Sequence, residues 1–149
     1  MAWQTAAGAS LAISLTAPAT FTEAGYSALT PKVVGEVTNV GEFGKEFALV
    51  THNPLAERGT GKRKGSYNNG TLSPTMALDP SDEGQQDMET ALESDQPAYF
   101  QVTLQDGTAY WLAGLVMSYR PTVGGVDDVV TAACTIEVDS TPIVKIPAA

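Results

Sequence analysis

The chain has 149 residues, 43% of them hydrophobic, which suits one domain with a buried core and excludes wholesale disorder. A net charge of -9 argues against gripping nucleic acid, and the single cysteine, Cys134, excludes an intrachain disulfide. No apolar run reaches the length of a membrane span.

Residues 11–19 are apolar and end in Ala17-Pro18-Ala19, but the first basic residue is Lys32, so no secretory signal is expected and synthesis in a cytoplasm is. Ser10 to Leu15 alternates and reads as a strand. Residues 16–31, with two prolines and several threonines, read as a long irregular connection. Val33 to Val40 and Glu46 to Thr51 read as two strands joined through Gly41-Glu42-Phe43-Gly44.

Asn53 to Gly61 is polar and loop-like, and an extended loop is expected over 53–65. Asn68-Asn69-Gly70 then reads as a hairpin turn between Lys62–Tyr67 and Thr71–Leu78, because Asn-Gly tolerates positive φ. Leu72, Met76 and Leu78 share one face of the second arm, where Pro74 marks an edge or a bulge. A helix is expected at about residues 80–94, with Asp79 as its cap, Pro80 at its first position and Met88, Ala91 and Leu92 as its packing stripe.

The last third reads as an antiparallel meander. Ala98 to Gln105 alternates around Phe100, Val102 and Leu104, and Asp106-Gly107 turns the chain. Thr108 to Tyr119 is apolar on both faces, with Trp111, Leu115, Met117 and Tyr119 on one and Tyr110, Leu112 and Val116 on the other. Such a strand needs cover on both sides: the helix is expected over one side, and a neighbouring subunit is the alternative. After a Gly124-Gly125 turn, Val130, Ala132, Cys134, Ile136 and Val138 point one way. Residues 142–149 form a tail, either an edge strand or an arm. The expected class is mainly β, an antiparallel β-sandwich or open barrel with one flanking α-helix.

Chemistry is sparse. His52 is the one histidine and has no Gly-x-Ser-x-Gly elbow with it. No second His or Cys stands at metal-ligand spacing, and Gly59-Thr60-Gly61-Lys62 lacks the first glycine of a phosphate loop. No enzyme activity, metal or cofactor is expected. Asp127-Asp128 reads as a turn closure. Arg58, Lys62, Arg63 and Lys64 are half of the basic residues within seven positions. They read as a solvated loop or as a cationic surface for an acidic partner. In a chain of net -9 that partner is another copy, and repeated head-to-tail contacts give stacks.

Four blocks carry a resemblance: Gly35 to Gly44, Thr51 to Leu72, Phe100 to Thr108, and Val126-Asp127-Asp128 running into Thr135-Ile136-Glu137-Val138. In this order they resemble the tail tube proteins of long-tailed bacteriophages. The resemblance implies one tail-tube-like domain over 1–149, hexameric rings stacked into a tube, and a virion location after assembly in the host cytoplasm. It implies other tail proteins as partners, such as tape measure, tail tip and terminator, with no membrane contact. DNA passes through such a channel without specific binding. Arg58, Lys62, Arg63 and Lys64 become candidates for contacts between subunits or rings, and no residue is assigned to the channel wall. The alternatives are a tail terminator or head-tail joining ring, and a monomeric carbohydrate-binding β-sandwich using Tyr99, Tyr110, Trp111 and Tyr119.

Overall fold

The computed structural model describes residues 3–148. Met1 and Ala2, which open the expected domain, and Ala149, which ends the expected tail, lie outside the described residues. In chain order, β1 (Ser10–Ser14) is followed by α1 (Glu23–Ser27), β2 (Lys32–Val34) and β3 (Val37–Asn39). Next come β4 (Glu46–His52), β5 (Gly61–Asn68), β6 (Thr71–Leu72) and β7 (Thr75–Ala77). The helix α2 (Glu83–Glu93) leads into β8 (Ala98–Thr103), β9 (Ala109–Thr122), β10 (Thr131–Val138) and β11 (Val144–Ile146). The fold is mainly β, with a large antiparallel sheet and a flanking helix, as the alternation in the sequence implies.

The main sheet runs β2-β1-β8-β9-β10-β7-β3, with β6 also on β10 and β11 on β9. Its two ends, β2 and β3, are separated in the chain only by Gly35 and Glu36. Val34 and Val37 are therefore at most about 11 Å apart, and the sheet must curl until its edges meet. The curl encloses Leu11, Ile13, Phe100, Leu112, Ile136 and Met76. Met88 and Ala91 of α2 join that core, so the helix closes its open side. A second cluster, Tyr26, Tyr99, Trp111 and Ala113, lies apart from it, with Leu29, Val144 and Ile146 packed against it. Thus the first half of β9 is covered on both faces from within the chain, by α2 on one and by the α1 segment on the other, where Val144 and Ile146 of its in-sheet neighbour β11 add to the packing.

The structure corrects several expectations. Residues 16–31 contain a short helix. Val33 to Val40 is not one strand, because the chain kinks at Glu36, whose φ is +60°, and passes from one edge of the sheet to the other. The helix starts at Glu83, and its cap is Asp82, whose Oδ2 accepts from the Gln85 amide at 2.9 Å. Asp79 instead closes the preceding turn by accepting from the Ser81 amide and hydroxyl. Tyr119 faces the main core with Val116, because Ser118 pairs with Thr135 while Val116 pairs with Ile136. Met117 is the extra residue of that bulge, and it shifts the alternation by one. Leu115 and Met117 remain exposed.

Candidate assembly surface

The largest departure from expectation lies at 46–68. Asn68-Asn69-Gly70 does not join the arms of a hairpin. Strand β5 pairs with β4, and β6 pairs with β10. The expected loop over 53–65 is shorter, because Gly61 to Asn68 is a strand. Strands β4 and β5 form a separate two-stranded ribbon, outside the main sheet. Every residue of it is exposed except the half-buried Gly65. A two-stranded ribbon without cover is marginal in water.

The root of the ribbon is held by Asn69. Its buried side chain donates from Nδ2 to the carbonyls of Asp139, at 2.6 Å, and Thr141, at 3.2 Å. Its carbonyl accepts from Gly44, and the Gly70 carbonyl accepts from Val138. The Asn-Gly pair therefore carries the chain from ribbon to sheet, with Gly70 at φ +91° supplying the bend. A groove of about 930 Å³ lies in the crook, lined among others by Phe43, Lys45, Phe47, Tyr67 and Val138.

A bulge organises the ribbon's faces. Phe47 pairs with Tyr67 and Leu49 with Lys64, so β5 spends three residues where β4 spends two. Gly65 permits this: a Cβ there would come within 2.9 Å of the Val50 side chain. Tyr67 and Lys64 consequently share a face with Phe47. The Phe47 and Tyr67 rings lie 5.6 Å apart, with Lys45 Nζ 4.4 Å from the Tyr67 centroid and Lys64 Nζ 4.8 Å from that of Phe47. Such exposed cation–π contacts contribute roughly 0.5–1 kcal/mol each.

Of the predicted site residues, Lys62, Arg63 and Lys64 lie on β5 and Arg58 in the loop beyond its tip. The strand alternation sends Arg63 to the face opposite Lys62 and Lys64. Lys45 belongs with them, a residue the sequence reading left out; its signal was the alternation Lys45, Phe47, Leu49. Among the described residues the one ion pair is Lys32–Asp87, at 3.6 Å, so these five cations have no acidic partner among those residues. Positive charge on the strands also discourages indiscriminate edge pairing. Leu49, Val50 and Leu55 nonetheless stand exposed beside it.

A second exposed apolar feature is the β9–β10 turn, where Val123, Val126 and Val129 all project into solvent. Asp128 closes it, donating its amide to the Gly125 carbonyl and accepting the Gly125 amide on Oδ2 at 2.9 Å. Asp127 is exposed beside it.

Other candidate chemistry is not assembled. His52 is exposed at the far end of β4, opposite Gly61. Burial pushes the Cys134 thiol up to about 12, as befits a core residue. Tyr99, Trp111 and Tyr119 are buried, and Tyr110 is half-buried against the edge of Phe43, so they form no open platform for a sugar. Among the described residues no cluster of His, Cys, Asp and Glu is placed to hold a metal ion, and no helix is long and apolar enough to cross a membrane.

No protein-family model and no curated protein sequence matches the chain. Solved structures do match its shape. A chain of the anti-feeding prophage baseplate, in its 6-fold symmetrised structure, aligns with a TM-score of 0.71 at 8% identity, over 99% of each chain. A chain of the sheath/tube terminator of an extracellular contractile injection system aligns at 0.65 and 8% identity, over 92% of this chain and 93% of that one. A chain of the anti-feeding prophage tube-terminating cap aligns at 0.55 and 11% identity, over 89% and 86%. At these identities the likeness is one of fold: this chain shares the fold of these baseplate, terminator and cap chains.

Proposed function

We propose that this protein is a structural subunit of a phage-type tail, forming hexameric rings that stack into a tube. The observation that carries the reading is the β4–β5 ribbon, which exposes apolar and basic side chains and lies outside the main sheet. A second copy supplies what it lacks. The shared fold with a 6-fold symmetrised baseplate supports a ring. Six copies carry a formal charge of -54, six times -9, which suits a channel that DNA traverses without adhering. That repulsion reaches only about 10 Å at 0.1 M salt, so it acts inside the bore. The partners are then further copies of the chain and other tail proteins, including tape measure, tail tip and terminator, within the virion.

A tube terminator is the second reading, favoured by the likeness to a sheath/tube terminator chain. Negative-stain electron microscopy with light scattering on the concentrated protein separates the two. Hollow tubes are expected. Single six-fold rings that never stack favour the terminator. A chain that stays monomeric even with a tail-tip complex supplied overturns both.

A further inference from the structure

We propose that the valine-tipped β9–β10 turn of one copy seats on the basic ribbon of another copy, and that this contact joins successive rings. The inference rests on the assembly reading above and names the two surfaces that meet.

Charge complementarity is the first argument. Residues 45–68 hold five cations and two acids, a net charge of +3 within a chain of -9. Residues 122–130 hold Asp127 and Asp128 and no base. Both surfaces also carry uncovered apolar groups, with Val126 fully exposed at 103% and Leu49 at 66%. Uncovered apolar groups that cluster mark contact sites. The other acidic surface, the outer side of α2, shows Glu83, Gln86, Glu89, Thr90 and Glu93. It answers the ribbon's charge but offers nothing to Leu49 or Phe47.

Position is the second argument. The valine turn leads into Thr131 at the start of β10. The ribbon returns to the sheet at Gly70, whose carbonyl accepts from Val138 at the end of β10. These two ends are about 23 Å apart along the strand. One copy thus presents the acidic apolar tip at one pole and the root of its basic ribbon at the other. A contact between unlike poles is heterologous, leaves a free pole on each outer copy, and repeats along an axis.

The test uses Asp127→Lys, because Asp127 is exposed while Asp128 closes the turn. The concentration needed for assembly is expected to rise about tenfold or more, since the new cation faces the ribbon's own. Lys62→Glu in the same chain is expected to restore much of the loss. Separately, Val126→Cys combined with Leu49→Cys should give covalent multimers on oxidation of assembled protein, while each single variant gives none. Cys134 is buried and does not compete. Normal assembly of Asp127→Lys together with no ladder from the cysteine pair overturns the inference and leaves the assembly reading standing. Loss of assembly from Glu89→Lys with Glu93→Lys, but not from Asp127→Lys, moves the contact to α2 and also overturns it. A wild-type chain that never assembles overturns the assembly reading and this inference with it.

Discussion

The Tyr119 hydroxyl donates to Oε1 of Gln85 at 3.1 Å, in the core between α2 and β9. That oxygen also accepts from the Asp79 amide at 3.0 Å. The Gln85 nitrogen donates to the carbonyls of Gly35, at 3.0 Å, and Ala77, at 2.9 Å. Only 1% of Gln85 is exposed, and every hydrogen-bonding site of its amide is used. One side chain therefore ties the helix to the β2–β3 kink, to β7 and to β9. Gln85→Leu leaves four groups without that partner and is expected to cost roughly 3 kcal/mol, whereas Tyr119→Phe, which strands none of the other three, costs about 1 kcal/mol. Urea midpoints at an unchanged slope check both values.

Gly84 precedes this residue and sets how closely the helix approaches the sheet. A Cβ there would collide with the Val33 carbonyl oxygen and sit 2.6 Å from the Val34 Cα. In an exposed helix, Gly→Ala stabilises by about 1 kcal/mol. Here the obstruction is backbone, which cannot swing aside, and Asp82 pins the same spot by accepting from the Gly35 amide at 3.0 Å. Gly84→Ala is expected to lose about 1–3 kcal/mol net, a reversal of sign visible in the thermal midpoint.

Asn69 anchors the ribbon and gives a local effect. Asn69→Ala leaves the Asp139 and Thr141 carbonyls without this donor, for a cost of about 1–3 kcal/mol. The ribbon root is expected to exchange its amides faster, with α2 and β8 unchanged in hydrogen exchange.

These residues show where the sequence was legible. The meander is legible in the sequence, because alternation in β10 puts Ala132, Cys134, Ile136 and Val138 inside and the period of 2 is unambiguous. Met88 and Ala91 stand out as the packing face of the helix for a similar reason. The failures share one cause: pairing between distant segments. Asn68-Asn69-Gly70 has the local chemistry of a hairpin turn, yet β5 turns back to β4 and β6 goes to β10. The Met117 bulge leaves no mark in composition, so strict alternation puts Tyr119 on the face opposite to the one it occupies. The basic residues were visible as a group, but their splitting across two faces and the inclusion of Lys45 follow only from the β4–β5 register.

Three buried groups predict the alkaline limit of the fold. Burial pushes Cys134 from 9.0, and Tyr26 and Tyr119 from 10.0, up to about 12. For Tyr26 the neighbouring Tyr99 adds to this, and for Tyr119 the charge of Glu89 does. In the unfolded chain these groups ionise at their ordinary values, so between pH 9 and 12 the unfolded state holds fewer protons. Their contribution is intact below pH 9 and is lost as pH rises through 12. Stability is expected to fall across that window. Cys134→Ala should move the onset from about 9 towards 10, checked by denaturant titration at successive pH values with tyrosinate absorbance.

The ribbon itself separates folding from assembly. Lys62 and Arg63 are exposed and form no ion pair among the described residues. Lys62→Glu with Arg63→Glu is therefore expected to change monomer stability by no more than about 0.5 kcal/mol. Growth of tubes should nevertheless stop, because the ribbon then repels an acidic partner. Salt distinguishes the charged from the apolar part of the contact. Raising ionic strength from 0.1 to 1 M shortens the screening length from about 10 to 3 Å, which should allow partial growth of the double variant. Leu49→Ser removes apolar area and keeps the charge, so its defect should persist at both salts. Sedimentation of assembled material at the two ionic strengths reads all of these outcomes. Normal growth of the charge-reversed variant at low salt removes the cations from the contact.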